Sequence, residues 1–312
     1  MTAVISGSLA YDTIMVFRDR FKHHVLPEQV HILNLSFLVE DLRKEYGGCA
    51  GNIAYNLKLL GEEPVPVATV GADFTDYADW MEKWGIPQRH IRVLDDLYTA
   101  QAYITTDLDD NQITAFHPGA MAQAHVIDIP LDAGGRIGIV APNGRDGMLQ
   151  HARQFREAGI PFVFDPGQGL PMFDGEELSA FVDQATWVAV NDYESRLLEE
   201  RIGQPIDEIA GRTRGLIVTR GAEGSHIYTG GNRLEIPPVK ASAVLDPTGC
   251  GDAYRAGLLF GLLNSLDWET TGRVASLMGA IKIARHGTQN HHFAMDDFRA
   301  WFREAFGREL GG

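Results

Sequence analysis

A chain of 312 residues, 45% hydrophobic and 22% charged, has enough apolar surface for a substantial core, and its length suits one large domain or two modest ones. A net charge of -15 argues against nucleic acid or an anionic membrane as the main partner, so any anion site must be built locally from main-chain donors and a few Arg or Lys. No apolar run approaches the roughly 18 residues needed to cross a bilayer. Cys49 and Cys250 read as reduced thiols of a cytoplasmic protein.

The first residues, Met1 to Asp12, lack a basic stretch and read as a buried strand rather than a signal peptide. Without secretion, the sequon Asn34-Leu35-Ser36 is a chance match. Asp12 to Phe17 reads as a strand, and so does the alternating run Gln29 to Val39, with Leu33, Leu35, Phe37 and Val39 on one side. Glu45-Tyr46-Gly47-Gly48-Cys49-Ala50-Gly51-Asn52 leads into a helix over about Ile53 to Leu60, closed by Gly61. Paired glycines let a substrate approach the backbone, and Asn52 offers both a donor and an acceptor. A glycine-rich helix start capped by Asn52 accounts for the same residues equally well. Thr99 to Phe116 forms two alternating runs around Asp107-Leu108-Asp109-Asp110-Asn111, the pattern of a β-hairpin. These strands would build a small sheet outside the main one, placed as a lid or as an ordinary edge extension.

From Ile137 onward the chain alternates β-rich apolar runs with helical stretches. The runs Ile137 to Asn143, Pro161 to Pro166, Thr186 to Asn191 and Gly215 to Gly221 read as buried strands, and Gly147 to Ala158 and Asp192 to Arg201 read as helices. That is the α/β rhythm of a parallel sheet covered on both faces. Ligands of such sheets gather beyond the carboxyl ends of strands, where Asn143, Asp165, Asn191, Thr219 and Asp246 fall. Asn191 and Glu194, three apart at a helix start, could hold hydrated Mg²⁺, although a capping box is the better account on local grounds. Thr219-Arg220-Gly221-Ala222-Glu223-Gly224 suits a nucleotide loop or a bare turn.

The most informative stretch runs from Leu245 to Asp252 and straight into the apolar helix Ala253 to Leu263. A glycine-rich turn with outward N–H groups, the positive end of a helix and a carboxylate beside them suit phosphate transfer, with Asp252 as base. Three histidines near the end, His286, His291 and His292, lack a carboxylate or thiol at ligand spacing, which argues against zinc. There is no Walker P-loop, no Gly-x-Gly-x-x-Gly after the first strand and no Gly-x-Ser-x-Gly elbow.

Gly47, Gly48 and Asn52, followed far downstream by Asp246 to Asp252, resemble the two motifs of the PfkB, or ribokinase-like, family of carbohydrate and nucleoside kinases. The resemblance spans Gly7 to Gln289, and one departure is Cys250, where the family usually carries Ala or Gly. It implies a three-layer α/β sandwich with a mostly parallel central sheet plus a small β-sheet lid: a single kinase domain over 1–312, with lid strands near 12–42 and 97–118. It further implies Asp252 as base and an anion hole from the N–H groups of Gly249, Cys250 and Gly251. Asp12, Gly48 and Asn52 would grip sugar hydroxyls. ATP would lie against Asn191, Thr219, Gly221 and Gly224, with Glu194 near Mg²⁺ through water. In many members Asp246 and carbonyls near the later glycine, here Gly287, hold a monovalent cation, usually K⁺.

Asp165-Pro166-Gly167-Gln168, Lys282 to His291 and Leu33 to Gly48 are similar to bacterial adenosine-kinase-like members. The resemblance therefore implies 5′-phosphorylation of adenosine or a related nucleoside by ATP. Phe37, Tyr103 and Phe116 would stack on the base, unless they pack the lid against the body. A sugar kinase such as ribokinase is the alternative; a binding protein without catalysis has no need of Asp252. Cys49 and Cys250 both lie in site motifs, so alkylation is expected to inhibit and ligands to protect. A small-molecule acceptor and ATP are the expected partners of a monomer or homodimer.

Overall fold

The computed structural model describes residues 2–24, 35–109, 111–130 and 135–311. The amino-terminal half contains β1 (Thr2–Ser6), β2 (Ala10–Val16), β3 (Asp41–Gly47), α1 (Cys49–Leu59), β4 (Glu63–Gly71), α2 (Thr75–Lys83), β5 (Ile91–Leu94), β6 (Ala100–Thr106) and β7 (Gln112–His117). Next come β8 (Gly135–Val140), α3 (Arg145–Glu157), β9 (Phe162–Phe164), α4 (Gly175–Gln184), β10 (Trp187–Asn191), α5 (Asp192–Ile202) and α6 (Ile206–Gly211). The chain continues through β11 (Gly215–Thr219), β12 (Ser225–Thr229), β13 (Asn232–Ile236), α7 (Cys250–Leu263), α8 (Trp268–Ile283) and α9 (Met295–Phe306).

The strands form a nine-stranded sheet in the order β13-β12-β11-β10-β9-β8-β1-β4-β5 and a four-stranded sheet in the order β3-β2-β6-β7. From β11 to β5 the large sheet is parallel, and only β12 and β13 run antiparallel at one edge. Its central strands are largely apolar because both faces are covered, and their side chains divide between two cores with period two, whereas the edge strands β5 and β13 are partly charged and exposed. Ala3, Ile5, Ile139, Ala189 and Ile217 join the core beneath α1, α7 and α8, whereas Val4, Val140, Val188, Val190 and Leu216 join the core beneath α3, α4, α5 and α6. In the second core Phe164 stacks on Phe181 with ring centroids 4.3 Å apart. Each large side chain so buried contributes about 1.5–3 kcal/mol. Helix α7 is buried on nearly every side, which explains its almost unbroken apolar sequence. This is the ribokinase-like α/β architecture that the family resemblance implies.

Two expectations need correction. Of the strand expected over 29–39, residues 29–34 lie outside the described residues, and 35–39 form no strand. The outer strand of the small sheet is instead β3, paired along its length with β2 from Ala10↔Gly47 to Val16↔Asp41. Its sequence, Asp-Leu-Arg-Lys-Glu-Tyr-Gly, is largely exposed and charged, so it carries no apolar alternation to read. Helix α1 begins at Cys49, four residues before the expected start, with Gly48 as its cap; Asn52 lies inside the helix and caps nothing.

Candidate active site

The carboxyl ends of β8, β9, β10 and β11 lie side by side, as the pairings Val140↔Phe164, Val188↔Phe164 and Asn191↔Thr219 require. The turn before α7 reaches this edge. Asp246 organises it: its carboxylate accepts the N–H of Thr248 at 2.9 Å and that of Gly287 at 2.9 Å. Burial pushes this acid up, but those two N–H donors, with the Thr248 side chain and the Lys282 charge, outweigh it and hold the carboxyl below its ordinary range. Gly249 caps the helix with φ 77°, a left-handed conformation that suits glycine, and a side chain there would crowd Thr288. Ala253 N–H makes a helical bond to Gly249 at 3.0 Å, so the N–H groups before it have no helical acceptor. Of the three expected anion donors, Cys250 has its N–H turned back to the Pro247 carbonyl at 3.1 Å. Gly249 and Gly251 carry the others.

Asp252 stands in the first turn of α7, half-buried. Its Oδ2 accepts from Asn52 Nδ2 at 2.8 Å, joining residues 200 positions apart. Burial chiefly, with the Asp165 charge adding, pushes its carboxyl up to about 6 against the opposing effects of Asn52, Arg255 and the Cys49 thiol. Behind it lies a buried ion pair: Arg255 Nε and Nη2 reach the two oxygens of Asp165 at 3.2 and 3.0 Å, with Glu194 4.0 Å from the same guanidinium. Asn52 is itself fixed. Its Oδ1 accepts from Gln289 Nε2 at 3.0 Å, which also donates to the Tyr77 hydroxyl at 2.8 Å. Gln289 Oε1 accepts from Trp80 Nε1 at 2.8 Å, and Tyr77 donates to the Gly47 carbonyl at 2.8 Å.

The sequence patterns did not mark Arg255, Gln289, Tyr77 or Trp80 as site residues. A lone cation in the apolar run after Asp252 was a readable sign of a buried ion pair. The two aromatics look like ordinary core residues of α2. Both thiols are pushed up by burial, Cys250 to about 11 and Cys49 well above its ordinary value, so little thiolate exists at neutral pH.

On the small sheet, Asp12 stands opposite Glu45 on β3 and Ala102 on β6. Burial, then the charges of Glu45 and Asp246, push its carboxyl up to about 6. A side chain at Gly47 would fall 2.6 Å from Asp12 Oδ2, so glycine there leaves room for the acid. The face carrying Asp12 is tied to the loop after α8: Asn290 Nδ2 donates to Glu45 Oε2 at 2.8 Å, and the Thr288 hydroxyl donates to the Tyr46 carbonyl. Strand register puts Ile14, Ile104 and Phe116 on the Asp12 face, because Ala102 pairs with both Asp12 and Phe116. Tyr103, one residue along β6, points to the opposite face. Phe37 packs into an aromatic cluster with Phe17 and Phe21, centroids 4.8 and 5.1 Å away. The three expected stacking residues therefore do not form one surface.

Asn191 and Glu194 form the capping box that local pattern favoured. Asn191 Oδ1 accepts Glu194 N–H at 2.7 Å, and the Glu194 carboxylate takes the main-chain and side-chain N–H of Asn191, both at 2.8 Å. Thr219 ends β11 and donates to the Val190 carbonyl at 3.4 Å. Gly221 (φ 54°) and Gly224 (φ 83°) shape the next turn. A side chain at Gly221 would meet no described atom within 4 Å, whereas one at Gly224 would strike the Ile236 carbonyl. Arg220 is paired with Glu223 and lies 2.9 Å from His226 Nε2. His291 belongs to the core, 2.7 Å from Asn56 Oδ1, and burial pushes it down to about 4. Among the described residues, no group of three or more His, Cys, Asp or Glu could hold a metal, and no helix is long and apolar enough to cross a membrane.

Sheet order and the chemistry of the α7 turn define a class: a ribokinase-like kinase that transfers phosphate to an alcohol group. The chain belongs to the pfkB family of carbohydrate kinases, whose family model matches residues 9–293. It is 32% identical to the nucleoside kinase of Methanocaldococcus jannaschii, across 83% of this chain and 85% of that one. Among solved structures it is similar to Burkholderia thailandensis nucleoside kinase in complex with inosine, at 50% identity and TM-score 0.90, covering 99% of this chain and 100% of that one. The same enzyme in complex with ADP-inosine gives 51% identity and TM-score 0.88, with 99% and 98% covered.

Proposed function

We propose that this kinase uses ATP to phosphorylate the 5′-hydroxyl of adenosine or a related purine nucleoside such as inosine, with Asp252 as base. The observation that carries the reading is the 2.8 Å bond from Asn52 to Asp252, which brings the paired-glycine motif to the mouth of α7. The hydroxyl proton passes to Asp252 as the oxygen bonds to the terminal phosphorus and the bond to ADP breaks. Such a transition state is loose, so positioning and charge stabilisation dominate. Gly249 and Gly251 supply main-chain donors, each worth about 3–4 kcal/mol when aimed at developing charge.

Asp12 suits the ribose diol, with Gly48 and Asn52 beside it. Ile14, Ile104 and Phe116, on the same sheet face, offer an apolar surface for a base. That face makes the small sheet a lid in this reading, and the half-identical relative bound to inosine favours a nucleoside over a free sugar. ATP would lie along Asn191, Thr219, Gly221 and Gly224. Mg²⁺ neutralises phosphate charge when bound. The Glu194 carboxylate, with both oxygens already accepting from Asn191, fits such an ion only through its water shell.

The test is a panel of nucleosides and free ribose with Mg·ATP, comparing the wild type with Asp252→Asn by chromatography of the products. The wild type should form purine nucleoside 5′-monophosphates, and the variant should bind nucleoside but turn over about 10²–10⁴-fold more slowly, the usual worth of a general base. Phosphorylation of ribose without that of nucleosides would overturn the substrate. Binding of either without turnover would mark a binding protein.

A further inference from the structure

Lys282 lies in the last turn of α8 with no exposed surface. A buried ammonium is costly unless oxygens replace its water. Its Nζ donates to the Asp246 carbonyl at 2.8 Å and to the Arg285 carbonyl at 3.2 Å. Those carbonyls belong to the two segments that the Asp246 carboxylate also joins, through Thr248 and Gly287. One positive charge thus sits at the seam between the α7 turn and the loop after α8, on a carbonyl three residues before the cap at Gly249. The family resemblance implies a monovalent cation beside Asp246 and the carbonyls near Gly287. The residues present do not fit one: the Asp246 carbonyl is taken by an ammonium, and a second cation beside it would meet like charge in a buried place.

We propose that Lys282 is a tethered internal cation that replaces the bound monovalent ion, so that phosphoryl transfer needs no K⁺. The proposal rests on the α7 turn being the transfer site. A lysine near a helix carboxyl terminus also caps free carbonyls. That role alone predicts lost stability in a variant, not a rate that small cations restore. Lys282 acts through the turn and is a positioning residue.

The experiment measures nucleoside phosphorylation at constant ionic strength in tetramethylammonium chloride, with and without K⁺, NH₄⁺ or Na⁺. Wild-type rates should agree across the series to within about twofold. Lys282→Ala should lose about tenfold or more in kcat, the order expected when a charge that organises an anion site is removed, with a smaller change in nucleoside KM. K⁺ or NH₄⁺ should restore that rate saturably, and tetramethylammonium should not. Strong activation of the wild type by K⁺ overturns the proposal. So does a folded Lys282→Ala that keeps full rate without small cations, or one that none of them restores. If Lys282→Ala does not fold, the wild-type series decides, together with Lys282→Arg, which keeps the charge and should stay independent of K⁺. No phosphorylation in any salt overturns the proposed function as well, whereas phosphorylation that rises with K⁺ overturns only the tethered cation.

Discussion

Asp252 and Asp12 are held at about 6 for the same first reason, burial that penalises the charged form. A base must be ionised to accept a proton, so kcat/KM should fall as pH drops through about 6, with the slope steepening toward two groups if both acids must be charged. Stability moves the other way. A carboxyl raised in the folded state keeps its proton between about pH 4, the unfolded value, and about pH 6. The folded form then binds more protons than the unfolded one, and stability declines as pH rises through that window. At neutral pH the charge on Asp252 is therefore carried at a cost. Asp252→Asn keeps an oxygen to accept from Asn52 and removes the charge. Its unfolding temperature should exceed that of the wild type at pH 7.5, with the gain vanishing near pH 4, while turnover is lost. An unchanged or lower unfolding temperature at pH 7.5 would mean that the burial cost is already met by Arg255 and Asn52.

At the scale of elements, α1, α2 and the loop after α8 converge on one amide, that of Asn52, at the mouth of α7. Asn52 is aimed at Asp252 by Gln289, and Gln289 by Trp80 and Tyr77. Gln289→Leu keeps the bulk but leaves Asn52 Oδ1 and Trp80 Nε1 without those partners, which should cost about 1–3 kcal/mol of stability per stranded group. Activity should fall about tenfold or more as Asn52 loses its orientation. Trp80→Phe, which removes the indole N–H and some ring packing but leaves the Gln289–Asn52 bond in place, should lower activity less. Equal losses in the two variants, in steady-state rates and in chemical denaturation, would show that the chain of bonds does not set the amide. Much of this was legible. The buried strands β8 to β11, the glycine turn and Asp252 announce themselves locally, since composition and spacing within a dozen residues decide them. Gln289 and Tyr77 do not, because their role depends on partners more than 200 positions away in one direction or the other. Strand β3 was missed because pairing with β2, not apolar alternation, makes it a strand. The split of Tyr103 from Phe116 follows from register, which hairpin pattern alone leaves open.

Across the whole molecule, a net charge of -15 surrounds the site proposed to take the polyanion ATP. In the proposed function the attraction for phosphate is short-ranged, coming from main-chain donors at the start of α7, whereas the repulsion from the acidic surface reaches as far as salt allows. At low ionic strength that field acts over tens of ångströms; at about 0.15 M it is damped beyond about 8 Å, while the donors in the turn are hardly affected. Adding an inert salt such as tetramethylammonium chloride should therefore raise kcat/KM for Mg·ATP at low ATP. A nucleoside is neutral and feels no such field, so kcat/KM for the acceptor at saturating ATP should stay flat over the same range. The opposite sign for ATP, a fall with salt, would mean that exposed cations such as Arg43 or Lys44 on β3 steer the nucleotide despite the overall charge. Substituting them by Gln would then abolish the salt response, and the acidic shell would have no part in the approach of ATP.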